Sequence, residues 1–481
     1  MIESRKFEGG HFILWILPSI ATIFLFFCSE LTVYRVLSGI VILLLSSIFM
    51  HKLIEMFDIK KLSIPGFFYL TYIFIIFLPS IFVYAEKKAL PADKFFFSTI
   101  SVLVTFPLGV AFTNYILGFK KKEISNYYSK PITKDLPINS YKTLSLIFLT
   151  PAICLMSIFI FENLVKTGSA PIISLIFGTQ DYFDLIIQRE NSLKLLNSPL
   201  RYFYILLRDS YFPLIIVFFL TIYLVYKSKN YFLFISIAFI LALIYSVFTI
   251  AKAPVAIIFF LVLLCYYLYK SGQVSKIYLA ISPVIVFAFP IFVVRMIFGY
   301  AENERGFFDA IVGLWSRIFL RPAYGLYNFF EIFPYEMDFV YGRTIGKLTY
   351  ILGREPLDLN TILVNHAYNS DALKLKSLNM SGGFIGYFNA DFGLIGVIVL
   401  CFFTGIFLQS IQIYFLRKKK TPARFASFVF LTYSTIFFNL TSVPNTMLQR
   451  GMLIALVFPF GIGCVKDLLS RCRRKSNDKE T

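Results

Sequence analysis

Blocks of about 15 to 24 predominantly apolar residues follow one another along most of the chain, near 12–29, 31–50, 65–84, 95–118, 143–161, 209–226, 231–250, 254–269, 277–298, 392–416, 425–441 and 447–465. About 20 helical residues cross a hydrocarbon layer of roughly 30 Å, so each block is a candidate span. The blocks at 254–269 and 447–465 are short or interrupted, which brackets the number at about eleven to thirteen. Over 481 residues the chain is 58% hydrophobic and only 15% charged, more apolar side chain than a water-soluble core of this length absorbs. The expected fold is therefore all-α: one polytopic transmembrane domain over 1–481, with about twelve transmembrane helices.

A net charge of +19 is compatible in principle with nucleic-acid binding, but the distribution of Lys and Arg has a simpler cause. Basic residues mark the side of a membrane protein that stays in the cytoplasm. With the N-terminus inside, more than half of the 46 basic residues fall in segments on that side: Arg5 and Lys6, Lys52 to Lys61, Lys120 to Lys142, Lys227 and Lys229, Lys270 and Lys276, RKKKTPAR at 417–424, and the tail. The short turns on the other side hold Arg35, Lys87, Lys88, Lys94, Lys252 and Arg450. Both termini are expected in the cytoplasm, and no nucleic-acid partner is implied. The first apolar block is long enough to serve as an uncleaved anchor.

Cys28, Cys154, Cys265, Cys401 and Cys464 fall in or at the ends of the apolar blocks and Cys472 in the tail, so the external loops carry no disulfide framework. With three histidines, His11, His51 and His366, no His-rich metal cluster is expected, and no cofactor is called for.

Two external segments break the rhythm of short turns, 162–208 and 299–391, and chemistry is expected there because the spans contain few ionisable groups. In GFFDAIVGLWSRIFLRPAYGLYNFFEIF (306–333), Ile311, Leu314, Trp315 and Ile318 recur at helical spacing. Arg317 and Arg321, four apart, share a face before Pro322 interrupts the pattern. The segment reads as an amphipathic helix at the membrane surface or as ordinary packing against the bundle. Among eight basic residues between 299 and 391, five are Arg, and a guanidinium forks onto phosphate oxygens. Each could equally snorkel to headgroups or pair with one of the ten acids of that loop. Arg295, at the end of the ninth block in FVVRMIFGY, is costly in lipid unless paired, which makes it a stronger anion-binding candidate. Lys252 in FTIAKAPVAI is either a turn charge or a further one. The first loop supplies Arg189, Arg201 and Arg208. His366, in LVNHAYNSDAL, is the one external histidine and the natural general base, with Asp371, Asp391 and Glu302 as alternatives.

The stretch SGGFIGYFNADFGLIGVIV (381–399) sets five glycines and Asp391 at the mouth of a span. Asp391 is placed to accept hydrogen bonds from the first amides of that span, and Gly393 and Gly396 to let helices approach closely. This stretch resembles the corresponding segment of the bacterial Wzy-type O-antigen and oligosaccharide repeat-unit polymerases. AKAPVAIIFFLVLLCYYLY (251–269) is similar to a span of that family that opens on a basic residue, with Lys252 where Arg is commoner. The family's spacing of Arg, ten residues and Gly occurs as Arg295 to Gly306.

The resemblance implies a glycosyltransferase of lipopolysaccharide or other polysaccharide biosynthesis in the bacterial inner membrane. It would join repeat units carried on undecaprenyl diphosphate at the external face, alongside a chain-length regulator. Under it Arg295, Arg317 and Arg321 become the leading diphosphate ligands, Arg189, Arg201, Arg208 and Lys252 further ones, and His366 or Asp391 the base. Related ligases, which transfer finished glycan to lipid A core, share the large loop with a His and an Arg, so a ligase stays open. A polysaccharide flippase and a purely structural scaffold are the remaining classes; a transporter would place charges within its bundle and broken helices in two halves.

Overall fold

The computed structural model describes residues 32–56, 58–87, 90–135, 138–167, 198–248, 252–271, 313, 315–345, 349, 353–355, 357–368, 380 and 382–477. These residues are mostly helical, with no strand among them, and include eight helices long and apolar enough to cross a membrane. The eight coincide with the blocks at 31–50, 65–84, 95–118, 143–161, 209–226, 231–250, 392–416 and 447–465. The blocks at 12–29 and 277–298 lie outside the described residues, and those at 254–269 and 425–441 form shorter helices. About twelve spans thus becomes eight among the described residues.

The helices sort into two compact units: Met1–Ser129 with Phe307–Lys418 and Thr435–Thr446, and Lys130–Gly306 with Lys419–Ser434 and Met447–Thr481. In the first unit α1 (Thr32–Ile54) packs on α3 (Leu90–Ile116). Next comes α2, running from Ile64 to Glu86, and a short α4 (Lys122–Ser129). Ser63 opens α2 by accepting from the amide of Gly66 at 3.2 Å, and Gln412 accepts from that of Ile64 at 3.0 Å. The spine of the unit is α3 against α11 (Gly383–Arg417). Their backbones meet: a methyl on Gly109 would stand 2.1 Å from the carbonyl oxygen of Phe402, and one on Gly405 2.4 Å from that of Phe106. Close helix approach therefore occurs here, a turn or more beyond Gly393 and Gly396, because only at this pair do two glycines face each other across the seam.

Three prolines shape the helices in one way. Leu78, Phe212 and Arg321 each bond back five residues, to Ile73, Leu207 and Ser316, forming π-turns over Ile73–Phe77, Leu207–Tyr211 and Ser316–Leu320. The next residue in each case is a proline, Pro79, Pro213 or Pro322. A proline donates no amide proton and its ring crowds the carbonyl four residues back, and one extra residue in the preceding turn relieves that crowding. Pro322 thus widens its helix rather than ending it, and α9 (Arg321–Ile332) continues from the π-turn.

The second unit is centred on α6 and α12. α6 comprises Ser198–Leu206, the π-turn Leu207–Tyr211 and Phe212–Tyr226; α12 is Pro422–Ser434. Around them stand α5 (Ile138–Thr167), α7 (Lys229–Phe248), α8 (Lys252–Tyr269) and α14 (Met452–Asn477), the last preceded in the chain by the short α13 (Val443–Leu448). α12 is buried along nearly its whole length, and its 13 residues are continued by a 3₁₀ helix over Thr435–Asn439. The run ends where Asn439, Thr441 and Ser442 follow one another, and there both the amide and the hydroxyl of Thr441 donate to the carbonyl of Phe437, at 2.7 and 3.1 Å.

Candidate functional site

In the first unit a surface layer lies over one end of α2 and α3. α9 buries Ala323, Leu326, Tyr327, Phe329, Phe330 and Ile332, and the ring of Phe95 meets those of Tyr327 and Phe330 edge-on at 5.4 and 5.8 Å. The apolar face that anchors the layer therefore begins after Pro322, whereas Trp315, read from sequence as part of the stripe, is exposed. Tyr324 donates to the carboxylate of Glu86, and this hydrogen bond with partial burial pushes its phenol up to about 12. Lys87 stands over the ring of Tyr327 at 5.5 Å and Lys94 over that of Tyr335 at 4.8 Å.

His366 sits near the end of α10 (Leu359–Tyr368), which docks on α9. Its Nε2 lies 3.2 Å from Oε2 of Glu331 and its Nδ1 3.1 Å from Oε2 of Glu336. Ionised carboxylates only accept, so the ring serves both at once only with a proton on each nitrogen. The two partners differ in access: the Glu331 side chain is 29% exposed and that of Glu336 56%. Neither glutamate stands out in the sequence, being two among ten acids in the long loop; the tertiary pairing with the loop's one histidine is what marks them.

Asp391 does not cap the helix that follows it: the chain is already helical from Gly383 and breaks at Gly393, where φ is 65° and ψ is −157°. Asp391 instead accepts from the amides of Gly342 at 2.8 Å and Thr344 at 3.4 Å and from the Thr344 hydroxyl, so both carboxylate oxygens hold the 340–344 turn. The amides of Val340 and Tyr341 add bonds to the carbonyls of Ala390 and Asp391 at 2.9 and 3.2 Å. The glycines before it make room: methyls on Gly382 and Gly386 would collide with the ring of Phe329 at 2.0 and 2.7 Å, and Gly383, at a φ of 56°, abuts the carbonyl oxygen of Asn439.

Arg317 lies in the π-turn and Arg321 opens α9; both are exposed, and neither forms an ion pair with a described residue. In the second unit Arg201 is exposed on α6, while Arg208 is held by Asp209, Nε to Oδ1 at 2.6 Å and Nη2 to Oδ2 at 3.2 Å. Arg450, read from sequence as a turn charge, reaches the same carboxylate, Nη1 to Oδ2 at 2.9 Å. Lys252 is the first residue of α8. Arg189, Arg295, Glu302, Gly306 and Asp371 lie outside the described residues. Among the described residues no group of three or more His, Cys, Asp or Glu is arranged to hold a metal ion. In comparisons with known proteins the chain matches no family model, no curated protein and no solved structure.

Proposed function

We propose that the chain is a membrane glycosyltransferase that polymerises undecaprenyl-diphosphate-linked oligosaccharide repeat units at the external face of the bacterial inner membrane. The observation that carries the reading is the layer of the first unit, where two exposed arginines and a histidine gripped by two glutamates stand on α9, its leading π-turn and α10. The resemblance of 381–399 to repeat-unit polymerases supplies the reaction. In this reading Glu331 fixes the imidazole through Nε2. Glu336, the more exposed partner, leaves with the Nδ1 proton, and a hydroxyl of the acceptor repeat unit takes its place at the bare Nδ1. The hydroxyl oxygen then attacks the anomeric carbon of the donor glycan, Nδ1 takes its proton, and the bond from that carbon to the diphosphate oxygen breaks. Arg317 and Arg321 neutralise the charge on the leaving diphosphate. Asp391 has a positional role here, fixing the 340–344 turn on α11.

The size distribution of lipid-linked and cell-surface glycan in a strain lacking the protein tests the reading. Surface molecules capped with a single repeat unit are expected. Long polymer accumulating on the carrier lipid would make the protein a ligase, and repeat units that never reach the outer face would make it a flippase.

A further inference from the structure

The second unit carries a charged cluster and an apolar groove that the polymerase reading does not use together. Arg208 and Arg450 share the one carboxylate of Asp209, leaving the group with one net positive charge. The assembly is rigidly built: it sits on the π-turn Leu207–Tyr211, Ser210 donates to the carbonyl of Gln449 at 2.7 Å, and Gly451, at a φ of 73°, seats its backbone on the Ser210 side chain. Asp209 is 4% exposed and Arg450 27%, so the carboxylate is sealed within while a guanidinium still reaches the surface. From Tyr211 and Leu453, two and three residues from the cluster, an open groove of about 480 Å³ runs along α5 and α14 past Phe148, Val457 and Gly461 to Val465, with an almost wholly apolar lining. Both arginines therefore stand at the polar end of apolar runs, where headgroups lie. The groove faces outward, with Ile147, Leu453 and Val457 exposed, and the bilayer is the solvent of such a face.

We propose that the Arg208–Asp209–Arg450 cluster and this groove form a docking site for an anionic glycerophospholipid, its phosphate on the Arg450 guanidinium and one acyl chain in the groove. Charge complementarity selects the headgroup, and bulk phospholipid is the species at hand to fill a groove open to the membrane. The inference is independent of the proposed polymerase activity.

Native mass spectrometry of the full chain, purified in detergent and given phosphatidylglycerol or phosphatidylcholine with the same acyl chains, tests it. The wild-type chain is expected to retain phosphatidylglycerol about tenfold in preference, Arg450→Gln to lose that preference, and Arg450→Lys to keep part of it. Gly461→Phe places a ring in the groove from a position where the Cβ meets nothing within 4 Å. It should lower occupancy by both lipids at unchanged thermal stability, which keeps the test alive should Arg450→Gln fold poorly. Equal retention of the two lipids by the wild-type chain, or unchanged occupancy in Gly461→Phe, would overturn the site. Displacement of phosphatidylglycerol by equimolar polyprenyl diphosphate would overturn the phospholipid as its occupant.

Discussion

At the scale of single residues, the chemistry turns on which neighbour each polar side chain finds. His366 was legible as a candidate because it stands alone in a long loop, but its partners Glu331 and Glu336 lie 35 and 30 residues away and meet it only when α10 docks on α9. His366→Ala is expected to lower polymerisation about a hundredfold or more at unchanged protein level, measured as glycan chain length in membranes. Asp391 reads as a helix cap at the mouth of a span, but its carboxylate holds the 340–344 turn instead. Asp391→Ala leaves those amides unpaired and should cost about 1–3 kcal/mol, read as a lower unfolding temperature in detergent. Lys420 shows the same limit. In the run RKKK it reads as a solvated charge, yet it is 6% exposed, bonded to the carbonyl of Lys130 at 3.2 Å and set over the ring of Phe425 at 5.3 Å. Burial lowers its ammonium to about 8 from the ordinary 10.5. Between those values the unfolded chain binds the extra proton, so stability should rise with pH across that window. Below about 8 the cost of burying the charge is present in full. Lys420→Met should flatten the rise, as followed by thermal unfolding between pH 7 and pH 10.

At the scale of elements, long apolar runs announced the helices but not their seams. Glycines occur throughout the chain, and nothing local distinguishes Gly109 and Gly405 as the pair on which α3 and α11 close. Gly109→Leu is expected to push the two helices apart and lose most folded protein, whereas Gly461→Leu, with open space around it, is expected to fold normally; size-exclusion profiles of the detergent-solubilised variants separate the two. Prolines were legible as interruptions, but Pro79, Pro213 and Pro322 widen the preceding turn and leave the helix running. As a result the face of α9 that packs on α2 and α3 lies after Pro322, and Arg317 and Arg321 stand exposed at its head.

At the scale of the whole molecule, the segregation of Lys and Arg predicts the orientation. Reporter fusions ending after Lys61, Ser129 and Asn477 should act in the cytoplasm and one ending after Tyr335 outside it; the opposite pattern would remove the α9–α10 layer from the face where the proposed reaction occurs. The division into two units was not legible, because a sequence read as spans in order carries no sign that 307–418 rejoins the N-terminal helices or that 419–434 joins the other set. What the sequence determined by itself is that the chain must be helical and membrane-embedded: apolar length and the need to satisfy backbone polar groups in lipid act within each segment, so they can be read locally. What only the tertiary structure decided is which polar residues are engaged. Arg450 on Asp209, Asp391 on the 340–344 turn and His366 between two glutamates are contacts across 30 to 241 residues of chain, and such pairings exist only once the helices have packed.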